Sequence, residues 1–192
     1  EKNATVDNVE NVQKTEQKST LGDLDESLGG SKFVSIHPKQ DSLSFIAKTS
    51  TFNIKDNIIS VQGVNEILVA DAVIYPSNEG FIVEKNAFIP TITSSRILAN
   101  TATKHHEFTN ASVNIEGGNK YTASGDYTYK DVHGENQYIF FKEISVNKED
   151  STVAIGEVGN NEPFKIGSKF IFKGNVNLLA SKRLLTFDGF FK

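Results

Sequence analysis

Five short runs of β-branched and aromatic residues in this chain each end on a single glycine. They are Ile59-Ser60-Val61-Gln62-Gly63, Tyr121-Thr122-Ala123-Ser124-Gly125, Val153-Ala154-Ile155-Gly156, Phe170-Ile171-Phe172-Lys173-Gly174 and Leu185-Thr186-Phe187-Asp188-Gly189. Glycine weakens a strand interior, so it marks places where a strand bulges, bends or passes close to another backbone. Recurrence at equivalent places predicts corners, where a strand bends round from one sheet to the next. A second unit is Asp or Asn, then Ala, then any residue, then an aliphatic one. It occurs as Asp71-Ala72-Val73-Ile74, Asn86-Ala87-Phe88-Ile89 and Asn110-Ala111-Ser112-Val113. The recurring Ala reads as the small inward residue where two walls come close.

The same texture fills the chain from residue 31 onward. Roughly alternating runs lie at 32–37, 44–53, 58–64, 67–75, 81–89, 111–115, 120–129, 137–146, 152–158, 164–166, 169–179 and 183–191. Turn-forming residues separate them at 55–57, 76–80, 116–119, 131–135, 147–150 and 159–163. Short strands at this pitch predict a sandwich, barrel or solenoid rather than βαβ units. The stretch 94–106 is the least regular.

Composition narrows the choice. Hydrophobic residues make up 38% of the 192, and the aromatics are 14 Phe and 5 Tyr without Trp. That suits a thin core, one side chain deep, better than a thick one. The net charge is −4 and no basic run exceeds Lys182-Arg183, which argues against a nucleic-acid surface. With no Cys, disulfides, thiolate metal sites and cysteine nucleophiles are excluded. With no Met, the chain reads as a processed product or a fragment of a longer one. No stretch approaches the roughly 20 apolar residues that span a bilayer.

Residues 1–30 differ: they are polar, lack aromatics, and carry Val6, Val9 and Val12, then Leu21, Leu24 and Leu28, at about helical spacing. They read as a polar linker, the alternative being a leader ordered by a partner. The β-repeat domain is 31–192, divisible into halves 31–116 and 119–192.

The runs Ser60–Val64 and Val69-Ala70-Asp71-Ala72-Val73-Ile74-Tyr75-Pro76, with Tyr121–Tyr127 and Leu184–Gly189, resemble the repeats of OstA/LptA-type periplasmic proteins. The style is most like that of long OstA-like envelope proteins of Bacteroidetes, over roughly residues 45–192. The resemblance implies a stacked β-jellyroll in the bacterial periplasm or cell envelope. The family's best-known members carry lipopolysaccharide along an apolar groove. Here the repeats are irregularly spaced and groove-lining residues cannot be assigned.

Candidate chemistry is sparse. His105-His106-Glu107, with His133 and His37, is the one group with metal-ligand character. Alternation puts His105 and Glu107 on one face and His106 on the other. A solvated loop is the simpler reading. The carboxylates Asp71, Glu84, Asp126, Glu143 and Asp188 lie on separate strands, without a pairing that glycoside hydrolysis would need. Gly117-Gly118-Asn119 reads as a hairpin turn, not a phosphate cradle. Tyr121, Tyr127, Tyr129, Tyr138, Phe140, Phe141, Phe170, Phe172, Phe187, Phe190 and Phe191 read as core, with an exposed sugar platform or an acyl-chain groove as alternatives. Asn3-Ala4-Thr5 and Asn110-Ala111-Ser112 fit the glycosylation sequon and are incidental in a bacterial-looking chain.

The sequence therefore predicts an all-β protein of stacked antiparallel strands, either an OstA-like jellyroll or solenoid or an open sandwich. It is expected to be a non-enzymatic envelope module, without catalytic, cofactor or metal residues. Its expected partners are other envelope proteins, met through β-edges or the leader, with no nucleic acid and no transmembrane segment. A lipid-carrying bridge and a carbohydrate-binding sandwich are the alternatives.

Overall fold

The computed structural model describes residues 29–192 apart from Glu79, Asn160, Asn161 and Ser168. The leader read over 1–30, and the first sequon with it, falls outside the described residues except for Gly29 and Gly30. The chain forms two antiparallel sheets. The larger runs in the order β1 (Ser31–Val34), β2 (Ser44–Ala47), β5 (Ile67–Val69), β6 (Ala72–Tyr75), β8 (Ile92–Ala99), β9 (His106–Gly117), β10 (Lys120–Lys130), β11 (Asn136–Val146), β12 (Thr152–Val158) and β14 (Phe170–Leu179). The smaller comprises β3 (Thr49–Asn53), β4 (Ile58–Gln62) and β7 (Gly80–Val83). β13 (Phe164–Gly167) and β15 (Thr186–Phe191) complete the larger sheet.

β14 is flanked on both sides. Gly174 pairs with Val158 and with Gly189, and Phe172 pairs with Phe164 and with Phe191. β12 and β13 thus act as one interrupted strand on one flank, and β15 takes the other. The all-β antiparallel expectation holds, and the sheet is open rather than closed into a barrel.

The larger sheet rolls back on itself. β8, β9, β10 and β11 separate β6 from β12 in the strand order, yet Asp71, just before β6, bonds Thr152 at the start of β12. A row of irregularities shows where the sheet bends. Asn110 adopts a positive φ of 49° in β9, and the β9–β10 and β10–β11 registers both slip around Gly125. The β11–β12 register then slips beyond Phe141, which faces Gly156. Bulges locally bend and twist a sheet, and here they also reset which face a residue occupies. In β9 the buried positions change from His106 and Phe108 to Ala111, Val113 and Ile115. In β11 they change from Ile139 and Phe141 to Ile144.

The structure refines the glycine and alanine units. Gly125 and Gly156 lie on a bend within one sheet, not on a corner between sheets. Gly63, at φ 70°, is the one that follows a strand of the small sheet and precedes a return to the large one. Ala72 and Ala111 are fully buried, as expected of small inward residues. Ala87 instead lies in a short 3₁₀ turn, Lys85–Ala87, so the second unit is not equivalent to the others. Three predicted strands are broken. The run 81–89 is strand only as far as Val83 and then enters the 3₁₀ turn. The run 44–53 divides at Lys48, whose N–H bonds the Gln62 carbonyl, and its halves join different sheets. The run 67–75 is a tight hairpin that turns at Ala70 and Asp71, with Ala70 at φ 52°. The β9–β10 hairpin does turn at Gly118-Asn119, and the sheet runs through it without interruption.

Candidate interaction edge

The interior is filled by side chains. Tyr121, Phe108, Phe141 and Phe172 are fully buried among Ile67, Ile74, Ile97, Ile139 and Ile144. Two recesses, of about 210 and 190 Å³, are small beside the usual ligand cavity of roughly 300–1,000 Å³. The first lies between Ser77, Asn78, Gly80, Phe81 and Ile82 and residues 90–93, the second beside Phe45, Ile46 and Leu68.

The polar candidates are mostly committed to structure. The Asp71 carboxylate accepts from the Thr152 N–H at 3.0 Å, the Thr152 hydroxyl at 2.5 Å, the Ser151 hydroxyl at 3.4 Å and the Asn100 amide at 3.3 Å. The Tyr121 hydroxyl meets the same Thr152 hydroxyl at 2.8 Å, and burial raises the Tyr121 phenol well above its usual range. This clasp closes the roll between residues far apart in sequence. Asp126 accepts from the Asn110 amide at 3.0 Å, so the second sequon asparagine braces the bulge. Glu84 bridges to Phe88 through backbone, Glu143 pairs with Ile155 across β11–β12, and Asp188 is exposed on β15.

The histidines do not gather. His37 caps the 3₁₀ turn Pro38–Gln40, His133 lies in the β10–β11 turn held by Asp131, and His105 is exposed. Glu107 pairs with the Arg96 guanidinium at 3.2 Å. Among the described residues no group of three or more His, Asp or Glu is placed to hold a metal. His106 departs from the solvated-loop expectation, since it is only 2% exposed. Its Nε2 lies 2.6 Å from the Lys182 carbonyl, which a ring N–H must donate to, so Nδ1 accepts from the Tyr127 hydroxyl at 3.0 Å. Burial depresses its pKa below 6.5, outweighing the Lys182 carbonyl bond that favours the charged ring; neighbouring His105 depresses it further. The ring thereby pins the 180–185 connection that leads into β15.

β15 is where the structure is least complete. Its exposed positions include Asp188, Gly189, Phe190 and Phe191, with Phe190 at 80% exposure. Lys192 and Ile171 exchange both backbone hydrogen bonds. In an antiparallel ladder such pairs alternate along the strand. Phe190 and Asp188 therefore bond β14 in turn, and the N–H and C=O groups of Phe187, Gly189 and Phe191 face outward from the sheet. The inner side of this end is aromatic: Phe172 packs on Phe187 and Phe191 with ring centroids 5.3 Å apart in each pair. Paired backbone and ring together explain both glycines: a Cβ at Gly174 would run into the Asp188 carbonyl and one at Gly189 into the Lys173 carbonyl, and Phe172 closes the remaining space. A Cβ at Gly174 or Gly189 would come within 3.0 or 2.9 Å of its ring tip, so the ring lies across the bare Gly174–Gly189 pair.

The other edges are blunter. β1 has 4 residues and includes Lys32; β3 is polar, Thr-Ser-Thr-Phe-Asn; β7 has 4 residues and is followed by the Glu84–Phe88 bridge. Short length and charge are how sheets protect their edges. On β13 the Gln137 carboxamide does this by bonding both the N–H and the C=O of Lys165, at 2.6 and 2.5 Å. Sequence reading found the β15 aromatics but not their place at an edge, because strand order is a long-range property. Comparison with family models, curated proteins and solved structures finds no match for the chain.

Proposed function

We propose that this domain is a non-enzymatic structural or interaction module of the bacterial periplasm or cell envelope, a subunit or fragment of a larger assembly, joined to its neighbours by β-strand addition. The observation that carries this reading is β15: an edge of six residues, longer than β1, β3 or β7, aromatic on both faces, with outward backbone groups and Asp188 as its one charge. The filled interior supports a structural role over a lipid-carrying one, because an acyl chain needs a continuous open trough. The envelope placement rests on the likeness of the repeats to OstA-type proteins.

Native mass spectrometry of the protein isolated from its own cells tests the proposal. Protein subunits are expected to co-purify, and to be lost with Phe191→Pro, which removes an outward N–H without removing a ladder bond. A lone ligand-free protein, or one loaded with lipid alone, would overturn the reading.

A further inference from the structure

We infer that the neighbour added at β15 is a second copy of this chain, paired β15 to β15 about a two-fold axis through Gly189. This rests on β15 being an interaction edge, as proposed above, and goes on to name the occupant.

The argument is one of register. The outward backbone groups belong to Phe187, Gly189 and Phe191, which are symmetric about Gly189. Two antiparallel copies centred there pair Phe187 with the partner's Phe191, Gly189 with the partner's Gly189, and Phe191 with the partner's Phe187. Every outward group on the strand then finds a mate, and the contact is self-complementary as a two-fold interface requires.

The side chains agree with the same centre. On the inner face the aromatic positions meet each other, Phe against Phe, extending the Phe172–Phe187–Phe191 cluster across the axis. The two glycines meet where a side chain has no room, since a Cβ on Gly189 would strike the backbone at Lys173 and Gly174 of its own copy and the Phe172 ring behind them. On the outer face Asp188 stands opposite the partner's Phe190, and Lys192 stands diagonal to the partner's Asp188, within reach of an opposite-charge contact. The adjacent registers are worse. Centring on Asp188 sets like charges against each other and places Phe191 opposite Leu185, outside the strand; centring on Phe190 sets Gly189 against the partner's Phe191 and breaks up the matched aromatic positions.

The absence of cysteine makes the test direct. Asp188→Cys and Phe190→Cys both alter exposed side chains outside the core. In the proposed pairing these positions form a non-hydrogen-bonded pair, the closer kind, with Cβ atoms about 4.5 Å apart, within the reach of a disulfide. Mixing the two variants under mild oxidation should give mainly the 188–190 heterodimer, at least ten-fold faster than either variant couples to itself. Sedimentation of the unmodified protein should show a concentration-dependent dimer that Phe191→Pro returns to monomer. Predominant 188–188 coupling would overturn the register. A Lys32→Cys variant coupling to position 188 or 190 would show head-to-tail contact through β1 and overturn the two-fold. A monomer at all concentrations, without cross-links, would overturn self-pairing. The edge reading itself would still stand if Phe191→Pro then abolished co-purification of other subunits, and would fall with it if it did not.

Discussion

Where β6 meets β12, the roll is sealed by polar groups that satisfy one another: the Asp71 carboxylate takes bonds from Thr152, Ser151 and Asn100, and Tyr121 closes the set from the core side. At β15 the chain presents the reverse, outward backbone groups and exposed phenylalanines with none of the described residues over them. The first region shows how an open sheet is kept from unrolling. The second shows where the same sheet has been left able to grow. Buried polar groups are costly unless paired, which explains the completeness of the clasp. An unprotected aromatic edge is a liability unless something covers it, and that is what makes β15 informative.

The contrast can be broken most forcefully at its aromatic root. Phe172→Ala removes the ring that roofs two glycines and supports Phe187 and Phe191, and should cost about 3–5 kcal/mol in denaturant unfolding. Phe190→Ala, on the exposed side of the same edge, should cost under about 0.5 kcal/mol. Near-equal losses would mean that the outer aromatics are part of the folded core. At the clasp, Asp71→Asn should cost about 1.5–3 kcal/mol, the range for hydrogen bonds to a charged group. Thr152→Val should be strongly non-additive with it in a double-mutant cycle. Additive losses would show that the two residues act separately.

A smaller effect links the regions through His106. Its folded-state pKa lies below 6.5, so the unfolded chain binds the proton more readily. Stability contributed by the neutral ring is complete above about pH 6.5 and falls as pH drops below it, with a slope of at most about 1.4 kcal/mol per pH unit. His106→Phe should flatten that part of the pH profile; an unchanged profile would assign the dependence elsewhere. The smallest effect belongs to the exposed Arg96–Glu107 pair, where Glu107→Gln should change stability by less than about 1 kcal/mol.

Much of this architecture was legible in the sequence, and the failures have physical causes. Alternation and turn residues marked the β class and the Gly118-Asn119 hairpin, because both are local signals. The 67–75 hairpin was hidden because Ala70 holds a left-handed conformation that Gly or Asn usually takes. His106 looked like loop because its partners, Tyr127 and the Lys182 carbonyl, lie 21 and 76 residues away. The clasp was invisible for the same reason, Asp71 and Thr152 being 81 residues apart. The β15 aromatics were visible as a pattern, but only the strand order placed them at the edge of the described sheet.

Amide hydrogen exchange along β15 measures the central claim most directly. The Phe187, Gly189 and Phe191 amides should exchange rapidly in dilute protein and gain protection as concentration rises, while the Asp188 and Phe190 amides, bonded to β14, stay protected throughout. Outward amides that remain unprotected up to millimolar protein, with protection growing instead along β1, β3 or β7, would contradict the account.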